Sequence, residues 1–289
     1  MTSVPAAIVA PSRARRRSLL LFAADHAVML GVATIFLAPF VVVVLTSLMT
    51  NGQALSSRLW PHPFRWSNFH DALRVAPLFR YGWNTLQVAL LSTAGVVLSS
   101  VPVAYALSKL RWRGRTGTLL VILATYMLPV QVVVVPTYIV FAKLHWIGTL
   151  KPLIVPTFFG DAFSIFLLRQ YFLLIPNEVL DAARVEGAGE LSVLTRVVAP
   201  LARPAIVAVA LFNFIYAWND FFLPLLYVGE NPKLWTLSLG LSEFRTLHGA
   251  DWNLMMTAST LITLPMIVVF LLAQRALVQG IALRGTARG

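Results

Sequence analysis

The chain has 289 residues and a formal net charge of +12, and 58% of its residues are hydrophobic whereas 12% are charged. Charged residues make up about a quarter of an average soluble domain, so this composition excludes a soluble globular protein and indicates a membrane protein. The cationic residues are scattered among short segments, which argues against a nucleic-acid partner. Because the sequence has no cysteine, disulfides, thiolate metal sites and a cysteine nucleophile are excluded as well.

Hydropathy predicts an all-α integral membrane protein with six transmembrane helices. The first uncharged run, Ala27–Leu48, is long enough to cross a hydrocarbon core about 30 Å thick. Pro129 and Pro136 can kink the third span and free backbone carbonyls that could serve gating, but proline is also common in spanning helices without such a role, and this second interpretation is favoured. In chain order, the predicted elements are a cytoplasmic tail (1–26), TM1 (27–48), an extracytoplasmic loop (49–83), TM2 (84–107), TM3 (118–141), TM4 (153–174), a cytoplasmic loop (175–203), TM5 (204–228), TM6 (253–273) and a cytoplasmic tail (274–289).

The orientation follows from the distribution of positive charge. With both termini inside, most of the 23 Lys and Arg residues lie on the cytoplasmic side, which is the side that such residues prefer. The sequence therefore predicts a multi-pass protein of the cell inner (plasma) membrane with cytoplasmic N- and C-termini. The segment Gly229–Trp252 then lies outside, and it is too short and too interrupted by turn residues to span.

The loop 175–203 is a polar interruption between two apolar spans, and it predicts a helical hairpin. Asn177 is expected to cap a first short helix that ends near Glu186. Gly187 and Gly189 can both adopt the left-handed backbone conformations that terminate a helix and turn the chain. A second short helix begins near Leu191.

Two faces of this hairpin can be read from helical spacing. Four residues of the first helix share a face that suits docking of another protein, because its two alanines allow close approach. These residues are Val179, Ala182, Ala183 and Glu186. In the second helix, Leu194 and Val198 share one side, and Pro200 ends the regular hydrogen bonding.

The hairpin resembles the cytoplasmic coupling loop of the permeases of binding-protein-dependent ABC importers. The family pattern is E-A-A, three residues, G, nine residues, I-x-L-P, and the spacing here matches it throughout. The departures are Asp181 for Glu, Val197 for Ile and Ala199 for Leu, and Glu186 stands where the family often has Asp. The matching positions, which the resemblance assigns to ATPase coupling, are Asp181, Ala182, Ala183, Glu186, Gly187, Val197 and Pro200.

This resemblance implies a type I ABC importer permease fold with a cytoplasmic coupling helix. It further implies four kinds of partner: a second homologous permease subunit, two ATPase subunits that bind ATP and Mg, an extracytoplasmic solute-binding protein and the lipid bilayer. It implies no cofactor and no metal on this chain.

The similarity is greatest to the carbohydrate-type permeases of that family, the subgroup of the maltose transporter's G subunit. The motifs that carry it are Tyr126-Met127-Leu128-Pro129, Arg169-Gln170-Tyr171-Phe172, Trp218-Asn219-Asp220 and Gln274-Arg275. Members commonly end in Gly-Ala-Val-Lys-Gly, whereas this chain ends in 284–289 with a different sequence. A contact of that tail with the ATPase is therefore left open.

Polar residues within predicted TM5 admit two interpretations. Asn213, Tyr216 and Asp220 share one helical face, and a carboxylate in the membrane needs protein or water around it. They could line a translocation path for a hydroxyl-rich solute, or they could fasten helices together by hydrogen bonds. Asp161 in predicted TM4 poses the same question, with a helix cap at the membrane edge as the other possibility.

The sequence favours a transport subunit without catalytic activity of its own. None of the four lysines is followed by Ser or Thr, so no phosphate-binding P-loop is present, and neither an H-E-x-x-H helix nor a G-x-S-x-G elbow occurs. The leading hypothesis is a permease subunit of an ATP-driven ABC importer for a sugar or related polyol, glycerophosphodiesters included. The alternatives are an ion-coupled secondary transporter that uses Asp220 or Asp161, and, in third place, a membrane-embedded enzyme.

Overall fold

The computed structural model of the chain describes residues 13–56, 58–246 and 249–282. Residues 1–12 of the predicted N-terminal tail lie outside this range. The divergent C-terminal residues 284–289 lie outside it too.

Helices dominate the described residues. The α-helices are α1 (Arg13–Ser47), α2 (Asn51–Ala54), α3 (Ser67–Val75), α4 (Leu78–Ser108), α5 (Arg115–Tyr126), α6 (Val130–Lys143), α7 (Lys151–Ile154), α8 (Ala162–Leu173), α9 (Asn177–Val185), α10 (Glu190–Val193), α11 (Ala199–Leu201), α12 (Arg203–Asn219), α13 (Phe222–Val228), α14 (Leu237–Gly240) and α15 (Trp252–Ala282). Short 3₁₀ segments are Val155–Phe159, Pro232–Leu234 and Leu241–Phe244, and a π-helical turn is Leu194–Val198. An antiparallel pair of two-residue strands consists of β1 (Arg245–Thr246) and β2 (Gly249–Ala250).

Four stretches of the described helices are long and apolar enough to cross a membrane, and the number rises to six if each of two bent helix pairs counts as one span. The four are Ala24–Ser47, Leu78–Ser108, Lys151–Leu173 and Trp252–Gln274, and the bent pairs are α5 with α6 and Glu190–Leu201 with α12. The protein is thus an all-α multi-pass membrane protein, as the hydropathy predicts.

Several predicted spans are less regular than hydropathy suggests. Predicted TM3 (118–141) is two helices at 95° to each other, because Pro129 has extended backbone at the start of α6. The predicted TM4 (153–174) contains a 3₁₀ segment and a break at Gly160, where φ is +105°. The helix predicted over 204–228 stops at Asn219 and resumes at Phe222.

The boundaries of predicted TM2 differ as well. The helix α4 begins at Leu78 rather than near residue 84, so the preceding loop is shorter than the predicted 49–83. At 31 residues, α4 is about 46 Å long, which exceeds the thickness of the hydrocarbon core. It packs against both α8 and α12 and therefore lies at the centre of the bundle.

Two clusters of buried apolar side chains hold the bundle together, and α4 contributes to both. The hairpin cluster lies beneath the segment 177–201 and includes Tyr105, Leu168, Phe172, Leu180, Val193, Leu194 and Val198. The distal cluster lies at the other end of α4 and includes Ala72, Tyr81, Val88, Trp218, Val228, Leu237 and Phe244. The hairpin therefore rests on a packed core.

Candidate functional site: the hairpin and the membrane cavity

The first helix of the hairpin, α9, begins at Asn177, but the expectation that this side chain caps the helix is wrong. The N-cap position is Pro176, and no side chain caps the helix there. The Oδ1 atom of Asn177 instead accepts a hydrogen bond of 3.0 Å from Nζ of Lys109. Lys109 also donates to the carbonyl oxygen of Ile175 at 2.5 Å, and burial lowers the pKa of its ammonium group. The C-terminal end of α4 is thereby attached to the start of α9.

The turn between the two hairpin helices depends on one of the two predicted glycines. Gly187 has φ of +88°, the left-handed conformation that favours glycine. The N–H groups of Gly187 and Ala188 donate to the carbonyls of Arg184 and Ala183, each at 3.0 Å, which closes the end of α9. Gly189, with φ of −70°, has ordinary extended backbone and needs no glycine.

The two residues that the sequence places on one side of the second hairpin helix are both buried in the hairpin cluster. Leu194 and Val198 are buried, with 7% and 0% of their surface exposed. They lie in the π-helical turn that connects α10 to α11. Val197 is half-buried, and Pro200 is exposed.

The surface that the hairpin presents differs in part from the predicted docking face. Val179, Ala182 and Glu186 are exposed, but Ala183 packs partly against the hairpin cluster. Val185 and Leu191 are 89% and 75% exposed. Large apolar side chains that are exposed on a polar segment indicate a surface that binds another protein. Neither residue belongs to the predicted docking face, so helical spacing alone did not predict their exposure.

A charged network joins the two helices of the hairpin to each other and to α4. Arg184 donates to Oδ1 of Asp181 at 2.8 Å and to Oε1 of Glu190 at 2.9 Å, and Tyr105 of α4 donates its hydroxyl to Glu190. The bond with Glu190 raises the pKa of Arg184. The hydrogen bonds from Arg184 and Tyr105 lower the pKa of Glu190. The Asp181–Arg184 pair was readable from its helical spacing, whereas the contact with Tyr105 bridges residues 85 positions apart.

The predicted translocation residues come together only in part. Asn213 and Tyr216 line a cavity of about 550 Å³ between α12, α8 and α5. Other side chains that line this cavity are Tyr126, Thr157, Asp161, Phe163, Ser164 and Phe212. Asp220 is not part of its lining.

Asn213 also has the second role that the sequence allows. Its Nδ2 atom donates to Oγ of Ser92 at 3.2 Å and to Oγ1 of Thr93 at 3.1 Å, so that it fastens α12 to α4. The remaining surface of its side chain borders the cavity. The helix-fastening interpretation of this residue is therefore confirmed, and its place on a translocation path stays a prediction.

The carboxyl groups of the two intramembrane aspartates accept hydrogen bonds from backbone N–H groups at helix starts. Oδ1 of Asp220 accepts from the N–H of Leu223 at 3.3 Å, at the point where the chain restarts as α13. Oδ2 of Asp161 accepts from the N–H of Ser164 at 2.7 Å and caps α8. The free N–H groups of a helix start need such acceptors in a membrane. The alternative of a cap for Asp161 is thus confirmed.

A bundle of spanning helices with a compact helical hairpin on one end, anchored by a packed core and exposing apolar side chains, defines the membrane subunit of an ABC importer. The model of the family described as "Binding-protein-dependent transport system inner membrane component" matches residues 94–283, and the chain belongs to that family. It is therefore a permease subunit of an ABC importer, in accord with the resemblance of the hairpin.

Individual relatives agree with this assignment. The chain is 29% identical to an osmoprotective compounds uptake permease protein of Synechocystis sp., with 89% of each chain covered. It is 36% identical to an sn-glycerol-3-phosphate transport system permease protein of Brucella abortus, with 71% of this chain and 72% of the relative covered. Among solved structures, a chain of a bacterial ABC transporter involved in the import of the acidic polysaccharide alginate superposes with a TM-score of 0.75 at 24% identity, covering 92% of this chain and 98% of that one. That similarity shows a shared fold, the type I permease fold.

Proposed function

We propose that this chain moves a neutral, polyhydroxylated solute, a sugar or related polyol, across the cell inner membrane. Energy comes from two ATPase subunits, which bind ATP and Mg²⁺, and one of them receives the hairpin in a cleft. A second homologous permease subunit completes the pore, and an extracytoplasmic solute-binding protein delivers the solute. The chain itself carries out no chemistry, and its N- and C-termini are cytoplasmic.

The hairpin is the observation that carries this proposal. Its helices, its turn at Gly187 and its exposed Val185 and Leu191 form a small, firmly anchored surface of the size that a cleft in a partner can accept. The two ion-coupling candidates, Asp220 and Asp161, are both engaged with helix starts. An ion-coupled secondary transporter therefore has little support.

The choice of a neutral solute rests on the cavity. Its described lining contains hydroxyl, amide and aromatic side chains, such as Tyr216, Asn213 and Phe163, together with the carboxyl group of Asp161. Hydroxyl and amide groups can exchange hydrogen bonds with sugar hydroxyls, and aromatic rings can cover sugar faces. The described lining has no Lys or Arg that would pair with a phosphate, which favours a neutral solute over the sn-glycerol-3-phosphate named for one relative.

The test is uptake by the complete transporter reconstituted in proteoliposomes, with labelled maltose as the neutral probe and glycerol 3-phosphate as the charged one. We expect ATP-dependent uptake of maltose, and we expect Tyr216→Phe to raise its KM about 2- to 10-fold through loss of one hydrogen bond. Tyr138→Phe, which removes a hydroxyl outside this cavity, is the matched control. Uptake of glycerol 3-phosphate alone, or equal KM values for both variants, would contradict the proposed solute class or the role of the cavity.

A further inference from the structure

The helix α4 connects the two ends of the molecule without interruption. Its 31 residues run from Leu78, near the distal cluster, to Ser108, next to the hairpin. Because it is longer than the hydrocarbon core, both of its ends can be attached to segments outside the membrane. Polar contacts occur at both ends.

At one end, two side chains of the α4 region hold the hairpin at separate points. Tyr105 donates to Glu190 at the start of α10. Lys109, at the C-cap of α4, donates to Ile175 and Asn177 at the start of α9. The attachments therefore reach both arms of the hairpin.

The two arms are in turn joined to each other. Arg184 on α9 binds Glu190 on α10, and the side chains of Leu180 and Val193, which are 1% and 0% exposed, lie in the cluster beneath. Because the two arms are packed together and ion-paired, we expect the hairpin to move as one body rather than as two separate turns.

At the other end, α4 holds the distal segment, which comprises the described residues of 229–252. Tyr81 donates to Oε1 of Glu243 at 2.6 Å. Asn84 donates to the carbonyl oxygens of Lys233 at 3.0 Å and Trp235 at 2.9 Å. The hydroxyl oxygen of Thr85 accepts from the N–H of Leu237 at 2.8 Å.

These distal contacts are buried and closely packed. Tyr81, Asn84 and Thr85 are 1%, 4% and 0% exposed. A Cβ atom added at Gly240 would lie 2.3 Å from a ring carbon of Tyr81, so the distal segment rests directly on this ring. Separation of the distal segment from α4 would strand several buried polar groups, which is unfavourable.

By comparison with α4, the chain that leads from the hairpin through α12 to the distal segment is interrupted at two places. Directly after the hairpin, the chain bends by 80° as it enters α12. At the other end of α12, the helix stops at Asn219, and Asp220 has extended backbone. Movement of the hairpin can be absorbed at either of these breaks, whereas α4 continues as one helix through its internal Pro102.

We propose that α4 is the lever through which movement of the hairpin reaches the distal segment, and that Tyr105 is the positioning residue that holds the hairpin to this lever. The inference rests on the proposed function, in which ATPase subunits move the hairpin. The distal segment then lies on the side where the solute-binding protein docks, so that α4 links nucleotide binding on one side to the arrival of loaded binding protein on the other.

The test uses the assembled transporter and the variant Tyr105→Phe, which removes only the hydroxyl. The matched control is Tyr171→Phe, which packs against the same cluster and whose hydroxyl makes no hydrogen bond among the described residues. Three quantities are measured: co-purification of the ATPase subunits, basal ATP hydrolysis, and stimulation of that hydrolysis by maltose-loaded solute-binding protein.

We expect Tyr105→Phe to leave co-purification and basal hydrolysis unchanged and to reduce stimulation about fivefold or more, because the lost hydrogen bond has the carboxylate of Glu190 as its acceptor. Tyr171→Phe should behave like the unmodified protein. Unchanged stimulation in Tyr105→Phe would overturn the proposal. Loss of co-purification or of basal hydrolysis in that variant would overturn it too, because Tyr105 would then serve assembly rather than transmission.

A double-mutant cycle tests the lever itself. Tyr81→Phe removes the hydroxyl contact at the far end of α4, so two losses on one lever should combine less than multiplicatively in Tyr81→Phe/Tyr105→Phe. Fully multiplicative losses would show that the two ends act separately. If the unmodified protein fails to retain ATPase subunits, the proposed function fails; if it assembles and responds while both Tyr variants behave normally, only the lever fails.

Discussion

Gly187 and Gly189 lie two positions apart in the hairpin, yet their backbone requirements differ. A Cβ atom added at either would meet no other atom within 4 Å. Only the φ of +88° at Gly187 lies in the left-handed region, whereas Gly189 has φ of −70°. A Cβ atom would therefore fit at both positions, but it would strain the backbone only at Gly187.

We expect Gly187→Ala to lower the free energy of unfolding by about 1–2 kcal/mol, which is the cost of a left-handed conformation for a residue with a Cβ atom. The altered turn should also reduce ATP-dependent uptake. Gly189→Ala is the control and should change neither quantity appreciably. Unfolding in mixed detergent micelles and uptake in proteoliposomes measure the two effects, and similar behaviour of both variants would show that the turn conformation is unimportant.

Contacts between residues far apart in the sequence could not be predicted, whereas local turns could. The turn at Gly187 follows from local signals, since a glycine after a short amphipathic helix favours a left-handed end. The bond between Asn213 and Ser92 joins residues 121 positions apart, and only the packing of α12 on α4 brings them together. Spacing within one helix predicts which residues share a face but not what that face meets.

At the scale of elements, the break between α12 and α13 decides the role of Asp220. The helix stops at Asn219, Asp220 has extended backbone, and its carboxyl group accepts from the N–H of Leu223. An amide oxygen can accept this bond as well as a carboxylate can, and an alanine cannot. A role as hydrogen-bond acceptor for the start of α13 and a role in ion coupling therefore require different side chains at position 220.

We expect Asp220→Asn to retain both stability and ATP-dependent uptake. Asp220→Ala should lower the free energy of unfolding by about 1 kcal/mol, because the start of α13 loses its acceptor. Thermal unfolding in detergent and uptake in proteoliposomes distinguish the variants. If a well-folded Asp220→Asn protein lost uptake, transport would require the carboxylate of Asp220 itself.

The same break illustrates why hydropathy predicted the spans but not their irregularities. Mean hydropathy over a window reports how apolar a stretch is, and Phe221 and Phe222 keep that average high across the interruption. At Pro129 the chain turns by 95° between α5 and α6, although the flanking residues are apolar. A backbone break within an apolar stretch is stabilised by tertiary contacts, which composition does not encode.

At the scale of the whole molecule, the helix α1 packs on α15 but leaves most of its apolar side chains exposed. The most apolar stretch within Ala24–Ser47 has no buried residue, and side chains such as Ile35 and Phe36 are each 72% exposed. Hydrophobic side chains in this number have lipid or another membrane subunit as their natural neighbour. The orientation of α1 sets which side of the membrane every later loop occupies.

The absence of native cysteine makes this orientation directly measurable, because any introduced thiol is the only one. Ser56, after α1, and Thr116, at the start of α5, are exposed and uncharged, so replacing them leaves the charge bias intact. With both termini cytoplasmic, a membrane-impermeant maleimide should label Ser56→Cys in intact cells and label Thr116→Cys only after permeabilisation. The opposite pattern would invert the topology and place the hairpin outside, where ATPase subunits could not reach it.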